Sequence, residues 1–257
     1  MVASPSAAAL LTGTVAVVVA LVTLGLSRAA RRSGLAQPRT LAASVAVGLV
    51  VWLGATAALA GSGVLADWSA FPPRWPLLPL AAVVTFFLLG GTRIFRRLLV
   101  EVPPWQPVAL QTFRVGVELA FWRLYAEGFA PAQVTFEGRN FDALVGLTAP
   151  LMAAGIAAGW IGPRATIAWN LLGLALLFNA IGTVATSTPG PLHVNWPGEP
   201  FTAVAAWPVV WIPALLAPAA IFLHIVSIRQ ALARLSASRP EVKVAITKKE
   251  SPLTSAS

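Results

Sequence analysis

The chain has 257 residues, of which 57% are apolar and 11% charged, with a mean hydropathy of +0.78. These values lie outside the range of water-soluble globular domains and leave a membrane-embedded helical bundle as the class. The formal charge is +9, and 14 of the 18 basic residues fall in segments that topology assigns to one side of the bilayer, which reads as an orientation signal and lipid affinity rather than a nucleic-acid groove. Cysteine is absent, so disulfides, thiolate nucleophiles, thiolate zinc sites and iron–sulfur clusters are excluded. Two histidines make a protein-built metal site an unattractive reading, and none is assigned.

Seven apolar stretches follow one another, at residues 7–27, 41–61, 76–95, 104–126, 142–161, 167–187 and 205–228. Each approaches the roughly 20 residues a helix needs to cross a hydrocarbon core of about 30 Å. The first follows a start without basic residues and runs into Arg28, Arg31 and Arg32 instead of a small-residue cleavage site. It is expected to be retained as a span.

Basic residues alternate with the spans. Arg28, Arg31, Arg32 and Arg39 follow span 1, Arg93, Arg96 and Arg97 end span 3, and Arg164 follows span 5. Arg229, Arg234, Arg239, Lys243, Lys248 and Lys249 follow span 7. The other connections hold only Arg74 and Arg139, against Asp67, Glu127, Glu137, Asp142 and Glu199. The expected fold is therefore an all-α, seven-transmembrane-helix bundle with its N-terminus outside and its C-terminus cytoplasmic. Trp68, Trp75, Trp105, Trp160, Trp196 and Trp207 fall near span ends, where indoles favour the interface. Residues 1–235 form the transmembrane domain, and 236–257 read as a disordered basic cytoplasmic tail. The Ala- and Arg-rich composition suggests a bacterial-type plasma (inner) membrane.

The fourth span carries the chemistry. Gln111, Arg114, Glu118, Trp122 and Tyr125 fall within an arc of about 80°, while Phe113, Val117, Ala120 and Leu124 form the opposite face. The apolar back is expected to meet lipid and the polar stripe to meet other helices or a cavity. Arg114 and Glu118 are spaced for an i,i+4 pair, and ionisable groups at membrane depth are functional candidates by default. Such a stripe serves either as a substrate, ion or proton site or as a polar clasp to Asn170, Asn179 or Thr148. Beyond it, Glu137, Arg139, Asn140 and Asp142 are candidates for an outer vestibule, with Asn140 or Asp142 capping span 5. The outer segment 187–204, with His193 and Trp196, reads as an ordered cap or a plain connector.

Span 7 contains Pro208, Pro213 and Pro218, and the last two should act as a hinge. His224 is placed near the cytoplasmic end of that span as a packed histidine. His193 lies in an outer loop, so a bis-histidine haem is not expected. Gly155 and Gly159 form a G-x-x-x-G pattern suited to close helix packing.

Seven spans with an outer N-terminus match retinal proteins, but span 7 has no lysine for a covalent retinal Schiff base. The topology is also similar to that of small sugar carriers of the SWEET type, with Trp75-Pro76 and Trp207-Pro208 in corresponding places. That likeness is one of topology and assigns no substrate. No spacing specifies an enzyme reaction. Two functions stay open: a small transporter or channel-like protein with a buried Arg114/Glu118 site, or a non-catalytic membrane subunit or scaffold. In the second, the polar helix packs against a membrane-protein partner or another copy of the chain.

Overall fold

A computed structural model describes residues 5–237; the expected tail lies outside the described residues beyond Ala237. Every regular element among the described residues is helical. Four helices are long and apolar enough to cross a membrane: α1 (Pro5–Arg32), α2 (Pro38–Gly61), α8 (Pro163–Ser187) and Ile212–Ala237, whose last 21 residues are α9 (Ala217–Ala237). A fifth crossing results if α3 (Leu77–Gly91) and α4 (Arg93–Glu101) count as one broken span. The chain is thus a helical membrane protein.

The remaining stretches take less regular forms. At Thr92 the backbone turns extended, the Thr92 hydroxyl accepts from Phe95 N at 3.1 Å to start α4, and the chain bends by 80°. The expected span 104–126 divides into α5 (Gln106–Leu110) and α6 (Phe113–Ala126). Between them Gln111 N, Arg114 N and Val115 N all bond to the carbonyl three residues back, so the ladder tightens and the α-helix is interrupted. The stretch 142–161 becomes the 15-residue α7 (Ala143–Ala157).

The region expected as span 7 starts later than hydropathy suggests. A π-helical turn over Ile212–Leu216 leads into α9. Pro218 has no N–H to give the Ala214 carbonyl, and Trp52 Nε1 from α2 donates to that carbonyl at 2.9 Å instead. Trp211 Nε1 returns the contact to Leu53 O at 3.0 Å. The two indoles therefore clasp α2 to the proline-disturbed turn.

The main core gathers one face of α1 (Leu11, Val15, Val18), the inner face of α6 and the segment 201–216. The apolar back of α6 does not meet lipid as expected. Val117, Ala120 and Leu124 are buried in this core, because α1 lies along that side with Gly116 against Thr14. Nor do Gly155 and Gly159 join helices. A side chain at Gly155 would collide with Ile161 of the following turn, and Gly159 takes the left-handed conformation (φ +78°) just past α7. The segment 187–204 is an ordered cap: Phe201 is fully buried edge-on to Phe121, and Trp196 Nε1 bonds Thr186 Oγ1 at 3.0 Å.

Candidate functional site

Arg114 is the largest fully buried side chain of the described residues. It leaves the first turn of α6 and points between α7, α8 and α9. Its ion-pair partner is Asp142, with Nη2 against Oδ1 and Nε donating to Oδ2 at 2.6 Å. The expected pairing with Glu118 is replaced by this one. Asp142 enters because the loop after α6 folds inward and delivers it at the start of α7, where its carboxylate faces the guanidinium and leaves the helix end uncapped. A two-point arginine–carboxylate fork outcompetes a single-helix i,i+4 contact on geometry.

The other face of the guanidinium meets α9. Arg114 Nη1 donates to His224 Nε2 at 2.9 Å, and Nη2 reaches the Gly173 carbonyl at 3.5 Å. Arginine has no acceptor, so Nε2 must be the accepting nitrogen and the ring proton sits on Nδ1. That proton goes to Asn170 Oδ1 at 2.8 Å, and Asn170 Nδ2 in turn donates to Ser227 Oγ at 2.9 Å and Thr166 O at 2.7 Å. Trp169 covers the imidazole, with ring centroids 5.7 Å apart. Gly173 permits this approach, since a Cβ there would fall on the imidazole ring.

Glu118, one turn along α6, belongs to the same cluster through Asn140. Asn140 Nδ2 donates to Glu118 Oε1 at 2.6 Å and to Val134 O at 3.1 Å, and its Oδ1 accepts Asp142 N at 3.0 Å. One side chain thus holds Glu118 and orients the carboxylate that pairs with Arg114. Glu118 Oε2 is buried and has no hydrogen-bond donor. A cavity of about 100 Å³ adjoins it, bounded at its polar edge by Arg114, Glu118, Asn140 and Asp142. Its other walls are carbon, including Phe121, Leu177, Pro213 and Pro218. The proline pair expected as a hinge therefore borders the charged cluster.

The remaining candidates lie elsewhere. Gln111 is fully buried and ties the junction between α5 and α6 to α9 by donating to Ala220 O at 3.0 Å. Trp122 is exposed and donates to Glu137 Oε1 at 2.7 Å, with Phe136 stacked on it. Tyr125 packs at the edge of the main core. Arg139 lies over the Trp196 ring, 5.1 Å from its centroid, and Asn179 bonds the Arg139 carbonyl at 2.6 Å. The four vestibule candidates thus divide, with Asn140 and Asp142 inside and Glu137 and Arg139 on the surface. Of the three expected clasp partners, only Asn170 joins the Arg114 network; Thr148 accepts from Trp169 instead.

His224 is packed as expected, but its place beside Arg114 was not foreseen from the sequence. A lone histidine in an apolar span was the available signal, but a span drawn from 205 puts it at the membrane edge. The helical turns begin at 212, and within the bundle His224 faces Arg114. Among the described residues no three His, Cys, Asp or Glu side chains converge as a metal site would need. No family profile, curated protein or solved structure matches the chain.

Proposed function

We propose that the chain is a small transporter of the bacterial-type plasma membrane, with seven crossings, an outer N-terminus and Glu118 as its ion- or proton-binding carboxylate. The four long helices, the bent α3–α4 pair, the α5–α6 pair and α7 together supply seven passes, and the arginine-rich connections favour this orientation. Arg114, Asp142, His224 and Asn170 satisfy one another and form the rigid frame. Glu118 does not close in this way.

The observation that carries the reading is the Glu118 Oε2 atom, buried beside a cavity and lacking any protein donor. A buried carboxylate oxygen without a partner is costly, so something entering the cavity must meet it: a proton, a small cation or the N–H of a substrate. The cavity is large enough for water or such an ion, and Pro213 and Pro218 on its wall give α9 a place to bend.

An apolar carbodiimide, which reacts with a carboxyl only in its protonated form, tests this on the full chain in detergent. Adduct formation, mapped by peptide mass, is expected at Glu118, slowed by raised pH or by added sodium, and lost in E118Q. Failure to label Glu118 across the pH range, or a rate indifferent to both pH and cations, overturns the proposal.

A further inference from the structure

Two other cavities lie side by side on the arginine-rich side of the bundle, apart from the Glu118 site. The larger, about 520 Å³, lies among α1, α2, α3 and α9 and has almost wholly carbon walls. That volume is in the range of preformed ligand pockets, roughly 300–1,000 Å³. Gly48 on α2 and Thr85 and Leu89 on α3 are exposed at its rim. α2 and α3 make little contact with each other, so the cavity opens sideways into the bilayer between them.

The second cavity, about 310 Å³, has a polar mouth formed by Arg28, Arg32, Glu101 and Trp105. Gly25 and Gln106 line both cavities, which are therefore neighbours with the Gln106 side chain packed on Gly25 between them. Arg28 and Arg32 stand one turn apart on α1 and are exposed, and neither has an ion-pair or hydrogen-bond partner among the described residues. Arg97 nearby is different, because it is committed to the Ser33 carbonyl at 2.7 Å. Glu101 offsets one arginine, so the mouth carries one net positive charge. Trp105 is 40% exposed, as suits an indole at the level of lipid headgroups.

We infer that the two neighbouring cavities together bind one anionic phospholipid of the phosphatidylglycerol type, with an acyl chain in the larger cavity, the phosphate between Arg28 and Arg32, and the Gln106 side chain displaced from Gly25 to let the lipid pass. The chemistry divides the task. A chain moving from bilayer to an apolar cavity gains little, since lipid tails are as apolar as the walls. The choice of lipid therefore rests on the headgroup. Arginine is the residue suited to a two-point grip on phosphate, and two unpaired guanidinia beside one carboxylate match a single net negative charge. Gln106 sits where headgroup and chain would join.

Native mass spectrometry of the full chain in mild detergent tests this, with dioleoyl phosphatidylglycerol, phosphatidylethanolamine and phosphatidylcholine titrated in turn. One phosphatidylglycerol should be retained in preference to the other two. Each basic residue near an anionic headgroup is worth roughly a five-fold change in affinity, so R28Q/R32Q should lower the phosphatidylglycerol affinity by about 25-fold and leave phosphatidylcholine unchanged. G25L pushes its side chain into Gln106 at the junction and should reduce retention of all three. Equal retention of the three lipids, or an unaltered preference in R28Q/R32Q, overturns the inference. So does displacement of the lipid by glycerol 3-phosphate at matching concentration, which would mark a soluble-anion site. The two arginines are exposed, so that variant folds and decides the matter even if G25L does not.

Discussion

Removing Asp142 alone should damage the protein far more than removing Asp142 and Arg114 together. In D142A the guanidinium keeps His224 Nε2 and the distant Gly173 carbonyl, but loses both contacts to the carboxylate and the charge that balances it. Stranding a buried charge in this way costs about 3–5 kcal/mol, a large share of a total stability of about 5–15 kcal/mol. At about 2–4 °C per kcal/mol for a chain of this size, the thermal midpoint falls by about 6–20 °C. R114M/D142L removes both charges and fills their space with carbon, which on its own is close to neutral. It leaves His224 Nε2 without a donor, at about 1–3 kcal/mol, so this double variant should sit slightly below wild type and well above D142A. The assay is heating in detergent while following the emission of the ten tryptophans. R114M/E118L provides the contrast: it strands Asp142, so it should melt like R114M alone. Equal midpoints for D142A and R114M/D142L, or recovery in R114M/E118L, would refute the assignment of Asp142 as the partner.

G173A should destabilise the protein by an amount close to H224A, about 1–3 kcal/mol, because the added methyl group must push the imidazole off Arg114. The two changes combined should be less than additive, and full additivity in the same melt would count against their shared mechanism. The cysteine-free sequence allows a direct test of orientation. Single cysteines at Ser69 and Asn195 should react with an impermeant maleimide in intact cells, whereas those at Ser33 and Ser236 should react only after permeabilisation; the reverse pattern would invert the topology.

Hydropathy made the helical membrane character legible, because long runs such as 7–27 and 167–187 need no tertiary information to be recognised. It could not reveal the bend at Thr92. Residues 76–91 carry no charge, and the turn that follows depends on Gly90 packing under Phe222 and on the Thr92 cap. The burial of Arg114 and Glu118 inside the bundle was also readable, since charged side chains in an apolar helix have few other places to go. Their partners were not. Periodicity relates residues on one helix, whereas Asp142 arrives from a loop 28 positions away and His224 from helix α9, 110 positions away. The buried back of α6 escaped notice for a related reason: Val117 and Leu124 look alike to a hydropathy scale whether they touch lipid or α1.

The 15-residue lengths of α3 and α7 bear on which bilayer suits this protein. At 1.5 Å per residue each is about 22 Å long, whereas the 28 residues of α1 reach about 42 Å. A hydrocarbon layer of about 30 Å is longer than the first two and shorter than the third. With all three crossing it, the layer must thin beside α3 and α7 while α1 tilts or projects from it. The perimeter is then uneven in height, and changes in lipid chain length act most strongly on the short helices. α7 carries the start of the Asp142 pairing and α3 borders the lateral opening, so membrane thickness bears directly on the two regions where ligands are proposed to sit.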